Sequence, residues 1–251
     1  MSAKNTPVTP KKISAAFAEA VAALSGIKPR RATPGRPKPP TSMAARIEHT
    51  LLASSATDED VRRVCREAER HEFRAVCCLP RDVAACHRRL DGTAVLVVTV
   101  LDFPLAGGDG AAEAECRRAV EAGADEVDMV VDLRALRSGR LVAAARGVQR
   151  VVKAARGRPV KVILETGLLT PEQIAAGAAV AEIGGASFAK TSTGYGPRGA
   201  SVEDIRILRA ILGDRLGIKA SGGIRDRAAA EAMVAAGADL IGTSNGPACA
   251  G

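Results

Sequence analysis

The chain has 251 residues, enough for one large domain or two small ones around a substantial core. Aromatic residues make up only 2 %, which leaves no platform for stacking nucleic-acid bases, and no apolar run of about 18 residues is present to span a membrane. Net charge is +8, yet residues 1–40 hold eight Lys or Arg against Glu19 alone, so the high pI belongs to the N-terminal arm and the remainder is nearly neutral.

Residues 1–42 read as a basic, disordered arm, with Pro29, Pro34, Pro37, Pro39 and Pro40 crowding its end. Within it Ile13, Phe17, Ala20, Val21 and Leu24 fall at helical spacing and predict a short helix over 13–24. Such an arm can touch nucleic acid or an anionic surface, but a solvated tail without a dedicated partner is the plainer expectation. The start of the chain lacks the apolar segment of a signal peptide. The six cysteines form no CxxC pair and no Cys/His ligand spacing. Neither a disulfide framework nor a zinc site is expected, and a reducing, cytoplasmic setting fits.

From Met43 to Gly251 apolar runs alternate with alanine-rich, charge-decorated helical patterns, the signature of parallel β/α units in one domain. Strands are predicted at 45–49, 73–78, 94–100, 125–131, 160–165, 186–190, 216–220 and 238–242. Helices are predicted at 57–70, 81–89, 110–122, 138–155, 171–182, 201–212 and 226–236. Thr57 with Asp60 and Thr170 before Pro171 are helix-start signals. The joints at Gly123, Gly184-Gly185 and Gly237 echo one another, each supplying a left-handed helix stop before a strand. Eight such units predict an α/β fold, a closed (βα)8 TIM barrel, with an open doubly wound sheet as the alternative. Only Pro247–Gly251 follow the last strand, so a full closing helix is not expected and the terminus is naturally short or truncated.

Active sites of such barrels gather where the strands end. Asp128, Lys161, Lys190 and Lys219 lie in successive predicted strands about one β/α unit apart, and unpaired burial of four charges would be costly. Collective function is therefore expected. Lys190, at the end of an apolar strand and beside Lys219, is a candidate neutral amine for Schiff-base chemistry. Asp128 would hold Lys219 charged and help move protons. Ser221-Gly222-Gly223 and Gly242-Thr243-Ser244-Asn245 follow strands seven and eight, where barrels bind phosphate through backbone N–H groups, and the Gly194 turn joins them. Tyr195 carries no assigned chemistry.

Four ordered stretches, Gly123–Val130, Lys161–Gly167, Phe188–Gly194 and Lys219–Arg225, resemble the motifs of the deoxyribose-phosphate aldolase family, and the similarity runs from about Ile47 to Gly246. The resemblance implies a class I lyase that reversibly cleaves 2-deoxy-D-ribose 5-phosphate to acetaldehyde and D-glyceraldehyde 3-phosphate in deoxyribonucleotide catabolism. It implies Lys190 as the Schiff-base lysine, Asp128 and Lys219 as the proton-relay pair, and Lys161, Thr166, Thr191 and Cys77 as substrate contacts. It implies no cofactor, no metal, no membrane or nucleic-acid partner, and a homodimer. Glu48 and Ala53 depart from the usual Asp-His-Thr-Leu-Leu-Lys of the first strand, Asp102 stands where glycine or asparagine is common, and Asn245 replaces a serine. The alternatives are a related class I aldolase acting on another sugar phosphate, or an inactive barrel associated with nucleic acid.

Overall fold

A computed structural model describes residues 9–28, 36–104 and 111–251. Eight strands, β1 (Ile47–Leu51), β2 (Ala75–Cys78), β3 (Leu96–Leu101), β4 (Glu126–Val130), β5 (Val160–Ile163), β6 (Phe188–Lys190), β7 (Gly217–Ser221) and β8 (Leu240–Thr243), pair in parallel in chain order. β1 also pairs with β8, so the sheet closes into the expected (βα)8 barrel. Runs such as Ala75–Cys78 and Val160–Ile163 are buried along their whole length, because helices cover the sheet outside while side chains fill it inside.

The covering helices are α2 (Asp58–Arg70), α3 (Val83–Leu90), α4 (Ala111–Glu121), α5 (Leu133–Arg137), α6 (Leu141–Ala154), α7 (Pro171–Gly184), α8 (Val202–Leu212) and α9 (Arg227–Ala235). Capping boxes, Thr57 with Asp60 and Thr170 with Gln173, start α2 and α7. The three echoing joints share one geometry. Ala124 donates to Ala119, Ala186 to Ala181 and Ala238 to Met233, while Gly123, Gly185 and Gly237 take φ of +102°, +90° and +116°. These are Schellman stops, and they absorb residues that the sequence assigned to strand starts.

Strand and helix ends shift from expectation by a few residues, and three differences bear on the fold. Ala44–Arg46 forms a 3₁₀ turn, so the first strand is Ile47–Leu51 rather than 45–49. The helix expected over 138–155 is α6 (Leu141–Ala154), which starts three residues late because Gly139 turns the chain at φ +74°, and an unexpected short helix, α5, precedes it, capped by the Asp132 carboxylate at Ala135 N–H (2.9 Å). A short helix, α10 (Gly246–Ala250), follows β8 with proline in its first turn and Cys249 buried against the barrel.

The N-terminal helix, α1 (Pro10–Ala23), packs chiefly on α7. Ile13, Ala20, Leu24 and Ile27 are buried, which differs from a solvated arm. The stripe that predicts the helix is the stripe that docks. Arg36, farther along, bonds Asp239 (2.9 Å) and pairs with Asp214, so its charge is neutralised on the barrel. The expected character of residues 1–8 and 29–35 lies outside the described residues. Leu24→Ala is expected to destabilise the fold by about 2–4 kcal/mol, read as a lower urea midpoint at unchanged slope; an unchanged midpoint would mean that α1 is not held in solution.

The six cysteines are all buried and unpaired. Among the described residues no helix is long and apolar enough to cross a membrane.

Candidate active site

The barrel interior places charge where a core would normally be apolar. Asp128 on β4 lies opposite Lys161 on β5, and Lys190 on β6 opposite Lys219 on β7. Lys190, the most accessible of the four, is only 3 % exposed. Asp128 Oδ2 accepts from both Lys190 Nζ (2.7 Å) and Lys219 Nζ (2.7 Å), while its Oδ1 accepts from Lys161 Nζ (3.0 Å). One carboxylate therefore gathers all three lysines, as expected from their spacing.

The network extends further than the sequence revealed. Glu48 on β1, read as a departure, is fully buried: it pairs with Lys219 through Oε2, and its Oε1 meets Lys161 at 3.2 Å and Arg74 at 2.8 Å. Glu126 at the start of β4 meets Lys161 at 2.6 Å and pairs with Arg74. Arg74 stands just before β2, at the opposite end of the barrel from the Lys190 terminus of β6. Four cations, Arg74, Lys161, Lys190 and Lys219, thus share three carboxylates, Glu48, Glu126 and Asp128.

Titration follows this uneven sharing. Burial would raise the Asp128 carboxyl, but Lys161, Lys190 and Lys219 hold it well below the usual carboxylate range. Glu48 is likewise brought down to about 2, where Lys161 and Lys219 overcome the cost of burial. Burial also acts on each lysine. For Lys161 and Lys219 the carboxylates outweigh it and their ammonium forms are strengthened. For Lys190 burial wins, helped by the Lys219 charge and opposed by Asp128, so its pKa falls below the ordinary lysine value.

Lys190 also opens onto a cavity of about 390 Å³ at the C-terminal mouth of the barrel, and no other member of the network borders it. Around the same cavity stand Gly194, Ser221, Gly222, Gly223, Gly242 and Ser244. Gly194, Gly222 and Gly223 have φ of +90°, +88° and +76°, a left-handed backbone that lets successive N–H groups face a ligand. Glu165, itself at φ +54°, braces this wall by accepting the Thr193 N–H (3.0 Å).

The other expected site residues do not line this cavity. Thr166 donates to Asp204 (2.9 Å), which Arg198 also holds (3.0 Å), behind the cavity wall. Thr191 staples β6 to β7, donating to Ser221 O and accepting from Ser221 N–H, both at 3.0 Å. Cys77 is buried with Ala75, Val98 and Val100 inside the barrel, its thiol pushed up by burial. Lys161 is enclosed by its three carboxylates. Asn245 is not part of the cavity lining, and its amide lies 3.5 Å from Arg225 O.

Arg225 and Tyr195 are among the cavity residues that the sequence left without a role. Arg225 lines it as a second side-chain cation; its place at the end of Ser-Gly-Gly-Ile-Arg was the available signal. Tyr195 crosses the mouth, donating its hydroxyl to Leu52 O (2.9 Å) and packing edge-on against Phe103 at 5.4 Å, which ties the β6 loop to the end of β1.

Residues 42–249 match the family model described as DeoC/LacD family aldolase. Deoxyribose-phosphate aldolase of Deinococcus radiodurans is 44 % identical over 206 residues, covering 82 % of this chain and 94 % of that protein. The enzyme of the same name from Methanothermobacter thermautotrophicus is 45 % identical over 206 residues, covering 81 % and 92 %. The solved deoxyribose phosphate aldolase of Aeropyrum pernix, described as tetrameric, superposes with a TM-score of 0.78 at 30 % identity over 97 % of both chains. With the family model matching most of its length, the chain belongs to the DeoC/LacD family of aldolases.

Proposed function

We propose that this chain is a class I aldolase that reversibly cleaves 2-deoxy-D-ribose 5-phosphate to D-glyceraldehyde 3-phosphate and acetaldehyde. The observation that carries the reading is Lys190: it is the lysine with a single, shared carboxylate contact and the one that borders the cavity. The activity named for the similar enzymes agrees with it.

The neutral Lys190 amine attacks C1 of the open-chain sugar, and loss of water leaves an imine. The C3 hydroxyl gives up its proton through a water held by Asp128 and Lys219. The C2–C3 bond then breaks, its electrons passing into the protonated imine to form an enamine while C3 becomes the aldehyde of the triose phosphate. Protonation of the enamine at C2 and addition of water release acetaldehyde and return Lys190 to its amine. Lysine supplies the electron sink, so the scheme calls for no cofactor. The glycine loops after β6, β7 and β8 and Arg225 receive the 5-phosphate. Lys161, held by three carboxylates, serves by fixing Asp128.

Gly222 offers a direct test of the phosphate wall. A Cβ there would sit 3.0 Å from Gly199 Cα on a backbone at φ +88°. Gly222→Ala is expected to raise KM for the phosphorylated sugar about tenfold with kcat less affected, and to change unphosphorylated 2-deoxyribose little. Equal effects on both sugars would place the phosphate elsewhere.

The whole reading is tested by cleavage of 2-deoxy-D-ribose 5-phosphate with coupled detection of the triose phosphate, together with borohydride trapping and peptide mapping. No substrate-dependent adduct would sink it, and faster cleavage of another sugar phosphate in a substrate panel would reassign the substrate. A nucleic-acid-associated barrel is disfavoured because α1 is docked and Arg36 is held by Asp214 and Asp239. Cytoplasmic location is supported by the unpaired cysteines. A homodimer rests on the resemblance alone, and light scattering on the purified chain decides between it and a tetramer.

A further inference from the structure

Arg74 has no access to the cavity, yet it is a full member of the buried ion network. We propose that Arg74, acting through Glu48 and Glu126, is a positioning residue that makes Lys190 the amine that gives up its proton. This rests on the imine reading above.

With every group ionised, four cations face three carboxylates, the lysines and carboxylates almost wholly buried and the Arg74 side chain 19 % exposed. The least costly relief is for one cation to lose its proton. Arginine cannot do so. Lys161 touches three carboxylates and Lys219 touches two, whereas Lys190 has only Asp128 Oδ2, the atom it shares with Lys219. The deficit therefore falls on Lys190.

Arg74 creates that deficit from a distance. It donates to Glu48 Oε1 (2.8 Å) and also engages Glu126, and both of these carboxylates would otherwise be free to balance lysines alone. Without Arg74 three lysines would meet three carboxylates, and Lys190 could keep its proton to higher pH. The other ionisable groups around Lys190 leave the balance unchanged: Cys77 on β2 has its thiol pushed up by burial and stays neutral, and Arg225 stands toward the open cavity. β3 and β8 carry no titratable side chain.

The sign follows. Imine formation needs neutral Lys190, so kcat/KM rises with pH through the Lys190 ionisation. Arg74→Met is expected to move this rising limb to higher pH by about one unit, with activity below the limb down about tenfold and the high-pH plateau kept. Arg74→Lys, which restores a cation, is expected to hold the limb in place. Arg74→Met/Glu126→Gln removes one charge of each sign, returns the excess of one cation, and is expected to bring the limb back. The substrate phosphate titrates identically in every variant, so only differences between profiles count.

A uniform loss of activity at all pH values in Arg74→Met would overturn the proposal in favour of a purely structural role, as would superimposable profiles or a double variant that stays shifted. Should Arg74→Met fail to fold, Glu126→Gln alone decides: the extra cation must move the limb to lower pH, and no movement counts against the idea. An absence of trapped imine in the wild-type chain would overturn the imine reading itself, and this proposal with it.

Discussion

Lys190→Met is expected to abolish borohydride trapping and to lower turnover by about 10⁴-fold or more, while leaving the fold as stable as before or more so. The second half of that expectation separates it from an ordinary core substitution. Methionine keeps the length and most of the volume of the lysine stem, so no sizeable cavity opens. The group it removes is the one amine without a carboxylate of its own. What is left, Arg74, Lys161 and Lys219 against Glu48, Glu126 and Asp128, is balanced. Loss of activity with an unchanged or raised melting temperature would therefore be chemical in origin. The converse result is equally informative. If Lys190→Met still yields a substrate-dependent adduct at a comparable rate, another amine is the nucleophile, and peptide mapping would show whether it is Lys219.

The sequence made some of this legible because barrel strands recur at nearly constant intervals. Asp128, Lys161, Lys190 and Lys219 fall one β/α unit apart, and closure turns equal spacing along the chain into proximity in the interior. The glycine joints were legible for a similar reason, since a left-handed stop is a local event written in three or four residues. Arg74 was not. It follows the turn after α2, in a setting where an arginine is ordinary, and its partner Glu126 is 52 residues away. Nothing local marks such a pairing; only the closed barrel brings the two together. Glu48 was visible as a substitution, but its meaning depends on Arg74 and stayed hidden with it. Thr166 and Thr191 entered as substrate contacts only through the family resemblance, and in the structure both hydroxyls bond protein groups that hold strands and loops in place. For α1 the amphipathic stripe revealed a helix but could not say which surface would cover it.

Asp128→Asn is the second decisive change, and its interpretation needs a partner variant. Asparagine has the shape of aspartate but no charge, and it replaces a carboxylate that accepts from three ammonium groups with an amide that can accept through one oxygen. Turnover is expected to fall about 10²- to 10⁴-fold, because the proton of the C3 hydroxyl loses its anionic destination. KM is expected to stay within a few-fold, since the glycine loops that hold the phosphate are untouched. The buried lysines also lose their shared counter-charge, at a cost of roughly 3–5 kcal/mol, which in a domain of this size lowers the melting temperature by roughly 10 °C. A fall in turnover could then be blamed on a loosened core. Asp128→Asn/Lys219→Met removes one charge of each sign and restores the original excess of a single cation. Stability should return while turnover stays low, because the proton path is broken at both members. If turnover returned together with stability, Asp128 and Lys219 would be ballast for Lys190 rather than a relay. If KM rose in proportion to the loss of kcat, Asp128 would belong to substrate binding instead.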